Sequence, residues 1–375
     1  MNRPHMNILH ICSSYFDTSL YKNLFAELEC HGVTNYVYVP RWQKDKEDRD
    51  KHIYVVSKKF SKLYKLLYWG EQRYILHDIE QKIDLSDVDI VHIHRILYGG
   101  YVALQLKREY NIPYIVEIRN SDLYGFGRNM SIYKRHCWNI IENASKVIFK
   151  SDAYKKDVWS RYIGDNKHAL LDKNSEVLPN GINEFFIHNR IEQGSHPLPR
   201  EGKIRLIAVG NIDVNKNVTA TIRAVELLFY KGYNVSLRLA GKVKDKVLFE
   251  KVCSKQYVEY LGILNKEQIR DELLAADIFV MPSIHETFGL VYAEAMTQGL
   301  PVIYTRGQGF DGQYKEGEVG FSVDCFNAQE IADRILDILA DYRNISDRCI
   351  INSKRYDWSM IAQRYKEIYD KCTSQ

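Results

Sequence analysis

The chain contains 375 residues, of which 45% are apolar and 27% are charged, and its formal net charge is +4. This length exceeds what one hydrophobic core usually organises, so we expect two soluble domains. The small net charge gives no reason to expect a nucleic-acid partner. No apolar run approaches the roughly 20 residues that a membrane-spanning helix needs.

Cysteine usage and the first residues favour an intracellular protein. The seven cysteines are scattered and odd in number, without a Cys-x-x-Cys pair, which favours reduced thiols over a disulfide framework or a zinc site. The opening apolar run is short and is not followed by a small-residue cleavage site, so it predicts a first strand rather than a signal peptide. We therefore expect a cytoplasmic location.

Short apolar runs alternate with amphipathic stretches in the first half of the chain. This alternation predicts a parallel sheet with helices on both faces. The predicted helices are "LYKNLFAELECHG" and "GYVALQLKREYN". The predicted strands are "MNILHIC", "NYVYVPR", "DIVHIHRI", "PYIVEIR" and "KVIFKS".

A basic, aromatic segment lies at 58–69, "KKFSKLYKLLYW". Phe60, Leu63, Tyr64 and Leu67 recur at helical spacing, and four lysines lie among them. One interpretation is a core-facing helix with a solvated basic side. The other is a helix that rests on an anionic membrane surface.

The polar stretch 189–202 contains two Pro and two Gly and predicts a linker. The alternation restarts after it, from "IRLIAVGN" through "DIFVMPS" to "EIADRILDILADY". We therefore predict an α/β protein with two doubly wound, Rossmann-like domains that face a cleft. The predicted domains are 1–190 and 203–356, and an amphipathic helix at 357–375 is expected to cross back to the first domain.

Ligands of open α/β sheets bind at the carboxyl ends of strands. The residues expected there are Ser13, Arg119, Gly210, Gly241, Ser283 and Arg306.

The stretch 283–301, "SIHETFGLVYAEAMTQGLP", sets Glu286 and Glu294 among apolar residues. It predicts a strand end, a loop and then a helix whose first amides, those of Phe288, Gly289 and Leu290, are free to bind an anion or a hydroxyl group. Within the apolar helix, Glu294 either forms a buried ion pair or accepts hydrogen bonds from a ligand diol. Glu286 either is an exposed loop carboxylate or lines the cleft. A hydrolase pair is less consistent with their spacing than contacts to two different ligand groups.

This stretch resembles the E-x7-E region of retaining glycosyltransferases of the family 4 type. Further segments match the family in order: "DIVHIH" (89–94), "VLPNGIN" (177–183), "AVGNIDVNKN" (208–217) and "VEYLGIL" (258–264). The resemblance spans most of the chain. It implies a GT-B fold, with a nucleotide sugar in the C-terminal domain and the acceptor in the N-terminal domain.

The resemblance also implies roles for individual residues. Glu294 would bind the ribose, Glu286 with the amides after it would hold the transferred sugar, and Lys216 would face the diphosphate. The catalytic residues implied are Glu286, Lys216 and Arg119. The donor-binding residues implied are Gly210, Asn211, Lys216, Ile263, Glu286, Phe288, Gly289, Leu290 and Glu294.

Three positions depart from the family. Asn211 replaces an Arg that usually assists the lysine, Arg119 stands where many relatives have His, and "SSYFDTS" replaces a glycine-rich turn after the first strand. Arg119 cannot act as a base, but it can clamp a phosphate or sugar, or it can form an ion pair with Glu117 or Asp122.

Three further patterns suggest metal or dinucleotide binding, and none of them predicts it well. His92 and His94 share one face of a strand, which allows a metal pair, but the family match favours a structural or acceptor-side role. The Asp48/Asp50 and Asp87/Asp89 pairs do not follow a strand. "GQGFDG" (307–312) lacks the helix that a dinucleotide fingerprint requires.

These observations predict a retaining glycosyltransferase that moves a sugar from a nucleotide diphosphate sugar to a glycan or lipid-linked acceptor, in bacterial surface polysaccharide or glycolipid synthesis. We expect no metal and no other cofactor. If the segment 58–69 binds lipid, the protein is peripheral on the inner membrane face. The alternatives are a GT-B sugar-nucleotide epimerase and a catalytically silent relative that acts as a binding partner.

Overall fold

The structure is a computed structural model that describes residues 5–41, 52–57, 68–119, 130–162, 172–200 and 202–374. Most of the basic segment 58–69 lies outside these residues, as do Asp48, Asp50 and Asp122. The predictions that concern them therefore remain predictions.

The chain divides into two compact units. Unit 1 contains Met1–Lys150, Lys155–Pro179 and Trp358–Gln375, and unit 2 contains Ser151–Tyr154 and Asn180–Asp357. The segment 180–190, which the sequence assigned to the first domain, belongs to unit 2. The reason is that Ile182 N donates to the carbonyl of Tyr356 and the Arg190 guanidinium bonds to Asp357.

Unit 1 is built on one seven-stranded sheet in which every paired strand is parallel. The strand order is β3-β2-β1-β4-β5-β6-β7. The strands are β1 (Met6–Ile11), β2 (Val33–Val39), β3 (Ile53–Val55), β4 (Ile90–Ile93), β5 (Tyr114–Ile118), β6 (Lys146–Phe149) and β7 (Ser175–Val177). Because β1 and β4 are neighbours, the chain reverses its direction of strand addition between them.

The helices of unit 1 connect these strands, and the last one comes from the end of the chain. The first helix begins where the Thr18 side chain accepts a hydrogen bond from Leu20 N. The helices of this part of the chain are α1 (Ser19–Cys30), α2 (Tyr68–Lys82), α3 (Ile96–Tyr110), α4 (Met130–Asn143), α5 (Asp152–Tyr162), whose first residues belong to unit 2, and α13 (Trp358–Thr373).

A glycine sets the position of α3 on the sheet. A Cβ atom at Gly99 would lie 2.6 Å from Ile11 Cγ2 and 3.4 Å from Ile93 Cγ2. Since Ile11 and Ile93 are the last residues of β1 and β4, the start of α3 packs directly against the carboxyl ends of these two strands.

Unit 2 repeats the architecture with a six-stranded parallel sheet of order β10-β9-β8-β11-β12-β13. The strands are β8 (Lys203–Val209), β9 (Asn234–Ala240), β10 (Val258–Gly262), β11 (Ile278–Val280), β12 (Val302–Thr305) and β13 (Gly320–Val323). The helices are α6 (Glu184–His188), α7 (Val218–Tyr230), α8 (Lys246–Cys253), α9 (Lys266–Ala275), α10 (Leu290–Thr297), α11 (Ala328–Ala340) and α12 (Tyr342–Ser353).

The predicted fold class is confirmed, because both sheets are parallel and alternate with helices. Five elements of unit 2 had no counterpart in the sequence prediction, namely α6, α8, β10, β13 and α12. Strand β13 is short and glycine-flanked, and α12 has small polar side chains, Ser346 and Ser353, within its buried face. Strand β13 has too few residues to show an alternation, and in α12 the serines interrupt the apolar face that Tyr342, Ile345, Cys349 and Ile350 form at helical spacing.

Candidate functional site

Two of the predicted site residues of unit 2 are in direct contact. The Nζ atom of Lys216 lies 2.6 Å from Oε2 of Glu286, although the two residues are 70 positions apart in sequence. Their side chains are only 20% and 15% exposed, respectively. The pair lies where the loop after β8 meets the loop after β11, at the carboxyl ends of neighbouring strands.

Two asparagines that the sequence analysis missed hold these loops together. Asn215 exchanges hydrogen bonds with His285, since its Nδ2 donates to the His285 carbonyl at 3.0 Å and its Oδ1 accepts from His285 N at 3.0 Å. Asn217 Nδ2 donates to the carbonyls of Pro282 and Cys325. Asn217 has a positive φ of 50°, a conformation that asparagine tolerates better than most residues. The backbone of Lys216 is thus fixed from both sides.

The "GQGFDG" loop holds the backbone of Glu286 in place through two hydrogen bonds. Gln308 Oε1 accepts a hydrogen bond from Glu286 N at 2.9 Å, and Gly309 N donates to the Glu286 carbonyl at 2.8 Å. A Cβ atom at Gly309 would lie 2.0 Å from the Thr287 carbonyl oxygen, so the close approach requires glycine. No helix follows this loop before β13, which is consistent with a loop role and not with a dinucleotide fingerprint.

The helix α10 begins at Leu290, as predicted, after Gly289 with φ 78°. A Cβ atom at Gly289 would lie 2.3 Å from the Tyr292 ring. The helix has no side-chain cap, so its first amides are available for a ligand. Tyr292 fixes the helix to the end of β11, because its hydroxyl donates to the Met281 carbonyl at 2.5 Å.

Glu294 lies within α10 and is partly buried. Burial raises the pKa of Glu294 to about 7, and Lys266 acts in the opposite direction. In the part of the chain that the structure describes, its carboxylate has neither a hydrogen bond nor an ion pair. The alternative of a buried ion pair is therefore not observed among these residues, and the carboxylate is free to accept hydrogen bonds from a ligand.

The remaining predicted donor residues are arranged around this core. A Cβ atom at Gly210 would lie 3.4 Å from Lys216 Cε, so the glycine packs against the lysine stem. Phe288 is buried, whereas Asn211 and Ile263 are exposed, and Ile263 lies just after β10. The structure thus brings Gly210, Lys216, Glu286, Phe288, Gly289 and Leu290 close together.

Arg119, the remaining predicted catalytic residue, lies in unit 1 and is bonded to Glu117. Its Nε and Nη2 atoms donate to Glu117 Oε2 at 3.0 and 2.6 Å. The sequence analysis left this ion pair open as one alternative, and the structure contains it. The guanidinium also lies over the Tyr21 ring, at 5.1 Å from the ring centroid.

Glu117 is fully buried and binds a second cation that the sequence analysis missed. Lys150 Nζ donates to Glu117 Oε1 at 2.9 Å and to the hydroxyl of Tyr365 at 2.7 Å, and that hydroxyl in turn donates to Glu117. Burial alone raises the pKa of Glu117, but Lys150 and Arg119 outweigh it and hold the pKa well below its usual range. Burial lowers the pKa of Lys150 to about 8, against the effect of Glu117.

His92 and His94 do share one face, together with His10, and the three rings have ligand atoms within 4.8 Å of one another. Four of these six ring nitrogens already have hydrogen-bond partners, however. His10 bonds to His94 at 3.1 Å and to Asn35 Oδ1 at 2.9 Å, and His92 Nδ1 bonds to the Tyr369 hydroxyl at 2.7 Å. The remaining nitrogens face Glu117 at 3.3 and 3.6 Å.

Two cations, Lys150 and Arg119, adjoin the same carboxylate, so the donor set fits a hydrogen-bonded network better than a metal ion. Ahead of β4, Asn7 N donates to the Asp89 carboxylate and Asn7 Nδ2 donates to the backbone carbonyl of Asp87.

Within the described ranges, no helix is long and apolar enough to cross a membrane.

Two family models match consecutive parts of the chain. The model "Glycosyltransferase Family 4" matches residues 20–184, and "Glycosyl transferases group 1" matches residues 190–356. Together they cover most of unit 1 and nearly all of unit 2.

Individual proteins are similar over most of their length. The chain is 28% identical over 307 residues to D-inositol 3-phosphate glycosyltransferase of Corynebacterium urealyticum, covering 75% of this chain and 71% of that protein. It is 25% identical over 372 residues to alpha-monoglucosyldiacylglycerol synthase of Acholeplasma laidlawii, covering 92% and 91%.

Among solved structures, Anabaena HepE in complex with UDP matches with a TM-score of 0.68 at 16% identity, over 98% of this chain and all of that one. A likeness at this identity shows the fold. Because the two family models together match most of both units, the chain belongs to the family 4 glycosyltransferases and has the GT-B fold.

Proposed function

We propose that this glycosyltransferase is a retaining enzyme that uses a nucleotide diphosphate sugar and transfers the sugar to a hydroxyl group of a glycan or lipid-linked acceptor. The contact between Lys216 and Glu286 carries the proposal, because it joins the residue expected to bind the diphosphate to the residue expected to bind the sugar. The uncapped start of α10 and the unpaired carboxylate of Glu294 belong to one helix, which directly follows the loop that carries Glu286.

The donor would extend along the loop after β8, the loop after β11 and helix α10. The ribose hydroxyls would donate to Glu294, which has no competing partner in the described part of the chain. The diphosphate would bind Lys216, and the sugar hydroxyls would bind Glu286 and the first amides of α10. Negative charge develops on the diphosphate as it leaves, so a fixed ammonium lowers the barrier.

Retention is proposed to proceed without a protein nucleophile. The bond between the anomeric carbon and the diphosphate breaks while the acceptor oxygen bonds to the same face. The acceptor proton passes to the departing phosphate oxygen. Because Lys216 provides a fixed cation for the leaving diphosphate, we propose that this chemistry requires no divalent metal.

The acceptor is proposed to bind unit 1, with Arg119 on the acceptor side. The names of two relatives are consistent with such acceptors, since one names inositol 3-phosphate and the other names a glucosyldiacylglycerol as its product. We propose that the protein works in the cytoplasm and reaches a lipid-linked acceptor as a peripheral protein through 58–69. Trp69 is 45% exposed and packs edge-on against His136, so part of this segment's apolar surface is accessible.

A donor screen tests the proposal. The protein is incubated with UDP-, GDP- and ADP-sugars, and proton NMR follows the anomeric signals. We expect slow donor hydrolysis for one nucleotide, with the anomeric configuration retained in the first product. Inversion would contradict the retaining mechanism. Interconversion of the donor into its epimer, or no reaction with any donor that binds, would favour the epimerase or the silent relative instead.

A further inference from the structure

The carboxyl edge of the sheet in unit 1 has a point where strand addition reverses. The strands β1 and β4 are neighbours, β2 and β3 extend the sheet on one side, and β5 to β7 extend it on the other. In open parallel sheets, this reversal opens a crevice in which ligands bind. The start of α3 packs against the ends of both strands through Gly99. The groups around that helix start therefore indicate what the crevice binds.

Cations follow three neighbouring strands at this edge. Arg95 follows β4 and is the N-cap residue of α3, Arg119 follows β5, and Lys150 follows β6. Among the described residues at these strand ends, the acidic Glu117 is already shared by Arg119 and Lys150. Across the edge, in the loop after β1, the carboxylate of Asp17 pairs with Arg41 at 2.6 Å.

Tyr21 connects two of these cations. Its ring lies under the Arg119 guanidinium, and its side chain is almost fully buried. Burial raises the pKa of Tyr21, while Arg119 and Arg95 both act to lower it. The Arg119 guanidinium therefore lies against Tyr21, and Arg95, at the start of α3, is close enough to act electrostatically on the same hydroxyl.

Two neutral groups at this place also favour an anion. The helix α3 has 15 residues, and the side chain of its N-cap residue, Arg95, forms no capping hydrogen bond, so this residue does not screen the positive end of the helix. Ser13, two residues after β1, is only 3% exposed, and its hydroxyl has no hydrogen-bond partner among the described residues. A buried hydroxyl without a partner is costly unless a ligand bonds to it.

We propose that this crevice binds a phosphate group carried by the acceptor, through Arg95, the first turn of α3 and Ser13, with Arg119 beside them. A phosphate oxygen can accept hydrogen bonds from a guanidinium fork, from helix amides and from a hydroxyl at the same time. The inference rests on the proposed function only in taking the ligand to be the acceptor. The phosphate is that of a soluble phosphomonoester or of a lipid headgroup.

The test measures binding of glycerol 3-phosphate to the full chain by calorimetry. The wild-type protein should bind it, and Arg95→Gln should weaken binding at least about tenfold, the loss expected for one charge-assisted hydrogen bond. Arg95→Lys, which keeps the charge, should weaken it less and shows that the fold tolerates the change. Arg108→Gln, at the exposed far end of the same helix, is the matched control and should bind as the wild type does.

The donor site is tested separately with Lys216→Ala, which should not change glycerol 3-phosphate binding. A loss in Lys216→Ala with no loss in Arg95→Gln would place the anion in unit 2 and overturn the proposal. Absence of binding at millimolar concentration, together with no response to vesicles, would also overturn it. Neither result affects donor hydrolysis, so the glycosyltransferase proposal would fail or survive independently.

Vesicles identify the source of the phosphate. Phosphatidylcholine vesicles with and without phosphatidic acid are sedimented with wild-type protein and with Arg95→Gln. Binding that requires both phosphatidic acid and Arg95 supports a lipid headgroup. Arg95-dependent binding of glycerol 3-phosphate with indifference to the vesicles supports a soluble phosphomonoester.

Discussion

Lys216 and Glu286 neutralise each other in the structure, with 2.6 Å between Nζ and Oε2. The same two side chains are proposed to bind different parts of the donor. A diphosphate that binds Lys216 must therefore compete with Glu286 for the ammonium group. In the intact donor, the sugar hydroxyl groups can replace the hydrogen bond that Glu286 loses. A free nucleoside diphosphate has no such hydroxyl groups.

This competition predicts opposite effects of Glu286→Gln on binding and on turnover. The variant should bind the nucleoside diphosphate of the accepted donor about three- to tenfold more tightly, because a partly exposed ion pair contributes on the order of 1 kcal/mol. Its donor turnover should fall. Calorimetry and donor hydrolysis measure the two effects. Binding of the nucleoside monophosphate, which lacks the second phosphate, should not change, and the exposed Glu267→Gln serves as the control. Weaker diphosphate binding in Glu286→Gln would contradict the competition.

Loss of Lys216 should lower the rate in a way that metal removal does not reproduce. We expect Lys216→Ala to reduce donor turnover roughly 10- to 150-fold, which corresponds to one charge-assisted hydrogen bond of about 1.5–3 kcal/mol. Lys251→Ala, an exposed lysine of the same unit, should be neutral. The wild-type rate should be the same with and without EDTA. Complete loss of activity in EDTA, restored by Mn²⁺ or Mg²⁺, would show that the metal-free mechanism is wrong.

Glu294 should make stability depend on pH. Its folded-state pKa is raised to about 7, so between roughly pH 4.5 and pH 7 the folded protein holds a proton that the unfolded chain has lost. Its contribution to stability therefore decreases as pH rises through this window and is constant above it. Glu294→Gln should melt a few degrees above the wild type at pH 8 and at the same temperature as the wild type below pH 4.5. Equal melting temperatures at pH 8 would contradict the burial argument.

The same carboxylate should couple nucleotide binding to proton release. If ribose hydroxyls donate to the ionised form, nucleotide affinity of the wild type rises as pH increases from 6 to 8, whereas Glu294→Gln binds more weakly and lacks this dependence. Calorimetry in buffers with different ionisation enthalpies measures the released proton directly. Identical pH profiles for the two proteins would remove Glu294 from the ribose site.

Glu117 should be essential for the stability of unit 1. Glu117→Gln leaves Lys150 and Arg119 close together without a buried counter-charge, so we expect a loss of about 3–5 kcal/mol. Adding Lys150→Met removes one of the two cations and should recover part of the loss. The exposed Glu109→Gln is the control. Chemical denaturation of the wild type, Glu117→Gln, Lys150→Met and the double variant gives the coupling, and additive effects would contradict the shared-carboxylate arrangement.

The segment 58–69 should bind anionic vesicles in a salt-sensitive way, because each lysine near the surface contributes about 1 kcal/mol. Replacement of Lys58, Lys59, Lys62 and Lys65 by Glu should abolish binding, while donor hydrolysis continues. The same charge change in unit 2, made at Lys242, Lys244, Lys246 and Lys251, is the control. Wild-type protein that ignores anionic vesicles at low salt would leave the segment without a membrane role.

The donor framework could be predicted where its residues are contiguous or follow a strand. The uncapped start of α10, Gly289 and the position of Glu294 all follow from one stretch of sequence, and Lys216 from its place after β8. Asn217 and Gln308 could not be predicted, because their partners lie 65 and 22 positions away and depend on how neighbouring strands align. The role of Lys150 could not be predicted either, because its partner Tyr365 lies 215 positions later in the sequence.

The return of α13 to unit 1 has a consequence for synthesis on the ribosome. His92, Glu117 and Lys150 are translated more than 200 residues before Tyr365 and Tyr369, which complete their hydrogen bonds. The whole of 180–357 is made in between and forms its own compact unit. Unit 2 can thus fold first. The hydrogen-bonded cluster of His92, Glu117 and Lys150 in unit 1 is completed only after α13 is made, more than 200 residues later. A nascent chain stalled before α13 would expose this unfinished cluster to chaperones and proteases.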